Sequence, residues 1–258
     1  MTDATADAHR RSRRQYAAVA GNYAVSESHA RGDDLAWFTA RAASVVPALA
    51  VDVACSGGFS TRALLAAGHR VVATDLTPES LAAARAVVTD GAVSWVAGAA
   101  ERLPVATGVA GVVGCRIAPH HFGDPAGFVD EVVRVLAPGG LFLLVDTTVP
   151  EDAVLAEWLD DVERRRDPSH RRSWPASRWR AVLTGAGLRI EDTQLFRKRH
   201  PLDPWLARAG CTGPAAAAVR ATFRDAAADL RAAYSIEYAD GEPVAYTDTK
   251  ICIRASTG

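Results

Sequence analysis

The stretch from Ala50 to Asp75 constrains the fold of this chain more than any other. Ala50 to Ala54 is a short apolar strand, a turn with Gly57 and Gly58 follows, Thr61 to Ala67 reads as a helix stopped by Gly68, and Arg70 to Thr74 is a second apolar strand. A strand, a helix and a strand in so few residues make a βαβ unit, whose crossover leaves the two strands parallel. The alternation continues. Thr77 and Pro78 supply an N-cap and a first-turn proline for a helix running to Val88, and Val93 to Ala97 and Gly111 to Ile117 are further strands. Asp124 and Pro125 start a helix to Leu136, the Pro138-Gly139-Gly140 turn ends it, and Leu141 to Val145 is a fully apolar strand. Uninterrupted apolar strands belong to a parallel sheet covered on both faces, so the fold class is α/β.

Helical patterns flank this core. After a start expected to fray, Arg10 to Ala24 and Leu35 to Val46 read as helices, the second with Leu35, Phe38, Ala42 and Val45 on one face. Beyond Asp146, Glu151 to Arg166 and Ser177 to Ala186 are helical, and Leu188 to Phe196 is a strand. Pro201 to Ala233 is mostly helical, with a break at Gly210 to Pro214. Ser235 to Tyr238 and Val244 to Arg254 flank Asp240-Gly241, a hairpin signal that closes the sheet with antiparallel strands.

Composition narrows the function classes. With 258 residues, 49% of them hydrophobic and 23% charged, the chain has enough material for one large core. Its 29 basic and 30 acidic residues leave a net charge of -1, so no charge excess attracts nucleic acid or anionic lipid, and a neutral small molecule is the expected partner. Cys55, Cys115, Cys211 and Cys252 are scattered, with no paired spacing and no histidine cluster at ligand spacing, so reduced thiols and no metal are expected. No segment has the ~20 consecutive apolar residues of a membrane span. The expectation is therefore a cytoplasmic protein. Lys198 and Lys250 are the only lysines among many arginines, a bias typical of GC-rich bacterial genomes.

In doubly wound sheets ligands sit beyond the carboxyl ends of the strands, closest to the first βα loop, here Asp52 to Phe59. Glycine there lets backbone amides approach a ligand, although a Gly-Gly turn also serves packing alone. Asp75 ends the second strand, where a carboxylate accepts both hydroxyl protons of a ribose; the plain alternative, helix capping, already falls to Thr77. Loop and acid together point to an adenosine-containing ligand. A dinucleotide motif of the GxGxxG type is absent.

On these residues, on the block Cys115-Arg116-Ile117-Ala118-Pro119-His120-His121-Phe122, and on Arg134 to Gly140, the chain resembles the ubiquinone/menaquinone-type class I methyltransferases. The likeness runs from about Tyr23 to Ile253, and Asp167-Pro168-Ser169-His170 matches a bacterial subgroup whose substrates are largely unassigned. It implies a Rossmann-like, mostly parallel seven-stranded sheet in a single domain. That domain divides into an N-terminal helical cover (9–46), a core (47–200), a helical lid insertion (201–233) and a closing hairpin (234–254). It also implies S-adenosyl-L-methionine as cofactor. Asp52 would orient the loop near the methionine part, with Ala54, Ser56 and Gly58 at the three positions where the family alternates glycines. Asp75 would bind ribose and Leu76 would pack on adenine. Tyr23 and His29, from the cover, would approach the amino-acid end. Ala99 and Ala100 stand where an aspartate usually serves the adenine amino group, and Gly111 replaces a common aspartate. A lost hydrogen bond of this kind costs ~0.5 to 1.5 kcal/mol, which weakens binding without abolishing it.

Methyl transfer needs alignment and exclusion of water more than acid or base groups, but a hydroxyl, amine or acidic-carbon nucleophile profits from a base. His120 and His121, directly after the fourth strand, and Asp146, ending the fifth, are the catalytic candidates. For His121 a packing role under the next helix weighs more than contact with substrate. His170, Arg171, Trp174 and Trp205 are candidates to line a pocket. Arg164 to Arg166 with Arg171 and Arg172 read as a solvated helix face rather than an anion site. The reading is methyl transfer to a small molecule of bacterial metabolism, secondary metabolism included. The alternatives are a fold-mate that binds the cofactor for a cyclisation, elimination or rearrangement, suggested by Ser56, Ala99 and Gly111, and a binding protein with a decayed cleft.

Overall fold

The computed structural model describes residues 2–89 and 91–258. Three helices come first, α1 (Asp3–Ala24), α2 (Glu27–Ala30) and α3 (Asp33–Ala42). The alternating core follows as β1 (Leu49–Val53), α4 (Phe59–Ala66), β2 (Arg70–Asp75), α5 (Pro78–Val87), β3 (Val93–Ala97), β4 (Ala110–Arg116), a 3-10 turn at Pro119–His121, α6 (Pro125–Val135) and β5 (Leu136–Thr148). The remainder is α7 (Ala153–Arg166), α8 (Ala176–Gly185), β6 (Arg189–Pro201), α9 (Leu202–Arg208), α10 (Gly213–Arg224), α11 (Ala228–Ala233), β7 (Glu237–Ala239) and β8 (Glu242–Ser256).

The strands lie in the order β3-β2-β1-β4-β5-β8-β6, with β7 paired to β8. The pairs from β3 to β5 are parallel, and β8 runs antiparallel to β5, β6 and β7. The Rossmann-like, mostly parallel sheet expected from the strand pattern is present, with the short β7 as an eighth strand beside the seven. Its hairpin turn has Asp240 at φ 50° and Gly241 at φ 80°, the two left-handed residues that a two-residue hairpin loop requires.

Among the boundaries that differ from the sequence reading, two have clear local reasons. The first helix starts at Asp3 rather than Arg10, because the Thr2 hydroxyl caps it by accepting from the Thr5 amide at 3.2 Å. The fifth strand starts at Leu136 rather than Leu141: Leu136 pairs with Ala110, and the proline-glycine stretch is absorbed as an irregularity inside the strand.

Side chains of the central strands alternate between two cores. Phe142 and Leu144 face one layer with Phe128, Val132 and Trp179, while Leu143 and Val145 face the other with Phe38 and Leu64. Each strand therefore reads as continuously apolar. A third apolar cluster joins α7, α9, α10 and β8 through Leu159, Trp205, Phe223 and Tyr246. Gly111 has a packing reason: a Cβ there would lie 2.6 Å from the Ala48 Cβ, so an aspartate does not fit at this position without displacing β1's approach. No described helix is long and apolar enough to cross a membrane.

A buried carboxylate fastens the cover to the sheet. Asp34, in the first turn of α3, accepts from Arg116 Nη2 at 2.6 Å and Nε at 2.9 Å, and from Lys198 Nζ of β6 at 3.1 Å. Arg116 also donates to the His29 carbonyl at 3.1 Å. Burial alone would raise the Asp34 pKa, but the two cations outweigh it and hold the carboxyl below its usual value. Removing one partner of such a cluster strands the others without compensation. Asp34→Ala is expected to lower the unfolding free energy by ~3–5 kcal/mol in a denaturant titration.

Candidate active site

The loops after β1, β2, β3 and β4 leave the same edge of the sheet, at the point between β1 and β4 where strand order reverses. They line an open cleft of about 890 Å³, the solvent at its mouth included, roofed by α1 and α2. Ala54, Ser56, Asp75, Leu76, Ala99 and Ala100 line it, and Tyr23 and His29 line it from the cover. Eight of the expected cofactor residues therefore come together.

The other two lie behind the wall. Asp52 is fully buried, and its Oδ2 accepts from Ser60 Oγ at 2.9 Å and Thr61 Oγ1 at 2.5 Å, so it holds the start of α4 under the loop. Gly58, at φ 79°, faces α5: a Cβ there would lie 2.8 Å from Val88 Cγ2. Its neighbour Gly57 lines the cavity instead, pressed against the Tyr23 carbonyl, which an added Cβ would approach to 2.6 Å.

Asp75 ties two loops together. Its Oδ2 accepts from the Ser56 amide at 3.0 Å, and its Oδ1 accepts from the Thr77 amide at 2.9 Å and the Thr77 hydroxyl at 2.8 Å. The Thr77 side chain caps no backbone amide of α5. Thr77 therefore does not do the capping that the sequence reading gave it; Asp75 instead holds the backbone and hydroxyl of that residue. Burial raises its pKa against these donors.

Strain concentrates here. Ala54 (φ 56°), Ser56 (φ 43°) and Ile117 (φ 54°) all adopt left-handed backbone, unfavourable for residues with a Cβ and most so for a β-branched one, and all three line the cavity. The Ser56 hydroxyl is buried with no hydrogen-bond partner among the described residues. A ligand hydroxyl, amine or carboxylate in the cavity would satisfy it, which suits a polar, nucleoside-containing group.

A second cavity, of about 490 Å³, adjoins the first. Tyr16, Tyr23, His29, Ile117 and His121 line both. The second is polar: Glu163, Arg166, Lys198, Arg208 and Lys250 also line it.

The two adjacent histidines have different surroundings. His120 lines only the second cavity. Its Nδ1–H donates to Asp146 Oδ1 at 2.6 Å, and Nε2 has no hydrogen bond among the described residues. Burial disfavours the imidazolium, yet Asp146 outweighs it and the His120 pKa is raised. His121 has both nitrogens engaged. Ser169 Oγ donates to Asp167 Oδ1 at 2.6 Å, so it accepts from His121 Nδ1–H at 3.1 Å, and Tyr16 donates its phenolic proton to Nε2 at 2.9 Å. Burial, with His120 beside it, drops the His121 pKa to about 3. This ring is neutral and cannot accept a further proton from substrate.

The remaining candidates divide. Trp205 lines the second cavity; His170 is buried against Asp160 at 2.8 Å, Trp174 packs on Trp179 with ring centroids 4.7 Å apart, and Arg171 pairs with Asp7 at 3.6 Å. Arg164 and Arg165 pair outward with Glu157 and Asp161, as a solvated face should, but Arg166 turns inward to the cavity. Sequence reasoning missed Tyr16, Arg116, Lys198 and Arg208. Tyr16 had a signal, since it lies seven residues before Tyr23 and so on the same helix face. The others carried none. Among the described residues no group of acidic, histidine or cysteine side chains is arranged to hold a metal.

Known proteins share this architecture. A family model described as a methyltransferase domain matches residues 51–144. The structure of a candidate methyltransferase from Bacillus halodurans superposes with a TM-score of 0.83 at 33% identity, covering 87% of this chain and 99% of that one. An uncharacterized methyltransferase of Bacillus subtilis is 29% identical over 237 residues, 90% of this chain and 92% of the relative. Geranyl diphosphate C-methyltransferase from Streptomyces coelicolor, solved with S-adenosyl-L-homocysteine, shares the fold at 14% identity and a TM-score of 0.59 over 86% of this chain and 78% of that one.

Two expectations follow from the loop. Ser56→Gly relieves the left-handed strain and removes the unpartnered hydroxyl, so thermal unfolding should show a gain of ~0.5–1 kcal/mol. Asp52, fully buried, has its pKa raised from 3.8 to about 7 by burial. A folded-state pKa above the unfolded value means stability present at low pH and lost as pH rises through about 7. Relative to wild type, Asp52→Asn should gain stability from about pH 4 upward and level off near pH 8 in urea titrations.

Proposed function

This chain belongs to the class I S-adenosylmethionine-dependent methyltransferases, and we propose that it methylates a small molecule held in the second cavity, with the cofactor in the first. The observation that carries this reading is the shared wall: Tyr16, Tyr23, His29, Ile117 and His121 line both spaces, so cofactor and acceptor meet there. Asp75 suits the ribose hydroxyls, Leu76, Ala99 and Ala100 give an apolar wall for adenine, and the Ser56 hydroxyl and Gly57 serve the methionine side. When bound, S-adenosylmethionine supplies a methyl group already activated on a sulfonium.

His120 is the base. Its Nε2 takes the proton that an acceptor hydroxyl, amine or acidic carbon gives up as the new bond to the methyl carbon forms. Asp146 Oδ1 keeps the proton on Nδ1 and stabilises the imidazolium. His121 holds Tyr16 in place and takes no proton itself. The buried roof of α1 excludes water from the reacting atoms.

Incubation with methyl-labelled cofactor and a bacterial small-molecule extract is expected to label a low-molecular-weight product and to release an equal amount of S-adenosylhomocysteine. His120→Gln should lower kcat ~10²–10⁴-fold while leaving calorimetric binding of S-adenosylhomocysteine intact. Product formed without S-adenosylhomocysteine would favour the cyclisation or rearrangement alternative, and an unchanged kcat in His120→Gln removes the base assignment.

A further inference from the structure

The second cavity has more positive charge than its own carboxylates can neutralise. Four cations, Arg166, Lys198, Arg208 and Lys250, line it against two carboxylates, Glu163 and Asp248. Arg166 Nη1 donates to Glu163 Oε2 at 2.9 Å, and Lys250 Nζ to Asp248 Oδ2 at 2.6 Å. Both carboxylates are thereby used. Lys198 reaches out of the cavity to Asp34, but that carboxylate already holds Arg116. Asp167, behind Arg166, gives its Oδ1 to Ser169. For Arg208 nothing is left: its side chain makes no hydrogen bond or ion pair among the described residues, and its Nε is buried without a partner. Its guanidinium carbon lies 6.0 Å from the centroid of the Tyr23 ring, at the outer limit of a cation–π contact.

A part-buried guanidinium whose Nε has no partner and whose side chain makes no ion pair gains strongly from an arriving anion. The position is also held firmly. Asn22 of α1 donates to the Arg208 carbonyl at 3.3 Å, and Gln15 donates to the Ala209 carbonyl at 2.8 Å, so the end of α9 is tied to the cover. We infer that the second cavity receives a compact oxyanion group of the methyl acceptor, a carboxylate or a phosphate, bound by Arg208 and Lys198. Arginine's planar fork pairs with two oxygens of either group at once, and the lysine adds a point charge. The acceptor's nucleophilic atom then lies toward His120, and its anionic end toward α9 and β6. The overall charge of -1 suggested a neutral substrate, but net charge says nothing about a local surplus inside a cavity. This inference rests on the proposed assignment of the second cavity to the acceptor.

The test titrates full-length protein calorimetrically with inorganic phosphate and, separately, with sodium acetate, with sodium chloride at matched ionic strength as control. Each titration is run with and without saturating S-adenosylhomocysteine. Saturable binding of phosphate or acetate, but not chloride, is expected, and the anion that binds tighter identifies the head group. Arg208→Met should weaken that binding at least about tenfold and Arg208→Lys less, both with unchanged affinity for S-adenosylhomocysteine, and Lys198→Met should weaken it measurably. Arg208→Met removes an unpartnered charge, so its melting temperature at low salt should be no lower than wild type. Absence of saturable binding of either anion, or wild-type binding in Arg208→Met, overturns the inference. Failure of S-adenosylhomocysteine to bind overturns the cofactor-cavity reading instead, and the cofactor-free arm still reports on the anion site.

Discussion

The ion cluster around Asp34 is the interaction on which both cavities depend. One buried carboxylate joins α3 to the end of β4 through Arg116 and to β6 through Lys198, while Arg116 also grips the backbone at His29. Three distant parts of the chain meet on two oxygens. The cluster, with little water to compete for it, fixes α3 and through the His29 carbonyl α2, while α1 is tied by His9 to Glu101 at 3.0 Å and by Gln15 and Asn22 to the end of α9. Because the cover is fixed, Tyr16 and Tyr23 stand at a set height above the loops, and the space between becomes a cleft with a roof.

Beneath that roof the loops are held in conformations their residues do not favour. Ala54, Ser56 and Ile117 are left-handed; the Ser56 amide donates to Asp75, Gly57 packs against the Tyr23 backbone, and the Ile117 amide donates to the Val145 carbonyl at 2.7 Å. Positions where glycine would be at ease carry a methyl or a hydroxymethyl group instead. The cost is local strain, and the return is a loop wall with less freedom to lose when a ligand arrives.

The chemistry then turns on how a single 3-10 turn divides two neighbouring histidines. At Pro119–His121 the chain rotates so that one imidazole meets the Asp146 carboxylate and the other falls into a chain of hydroxyls from Ser169 and Tyr16. A carboxylate partner favours the charged ring, and a hydroxyl partner in an apolar setting does not. The base and the brace are chemically identical side chains, one residue apart. The Asp167-Pro168-Ser169-His170 motif finds its purpose in the same place: Asp167 and Ser169 orient His121, and His170 anchors to Asp160.

Much of this was legible from residue order alone. Local periodicity, the turn at Asp240-Gly241 and the capping pairs at Thr77-Pro78 and Asp124-Pro125 determined the strands and helices, because backbone propensity and side-chain alternation are properties of neighbours in sequence. The βαβ unit with its loop and Asp75 determined where a cofactor cleft would open. Ala54, Ser56, Leu76, Ala99 and Ala100 came instead from the family resemblance, position by position, and all line the cleft. Which way a residue of a tight turn points was not legible, and so Gly58 and Gly57 exchanged places. Only the tertiary structure decided the partners: Asp34 with Arg116 and Lys198, His120 rather than His121 as the free ring, and an Arg208 side chain with no hydrogen bond or ion pair among the described residues. Those pairings join residues separated by 26 to 164 positions, and charge satisfaction at such range depends on packed geometry that no local pattern encodes.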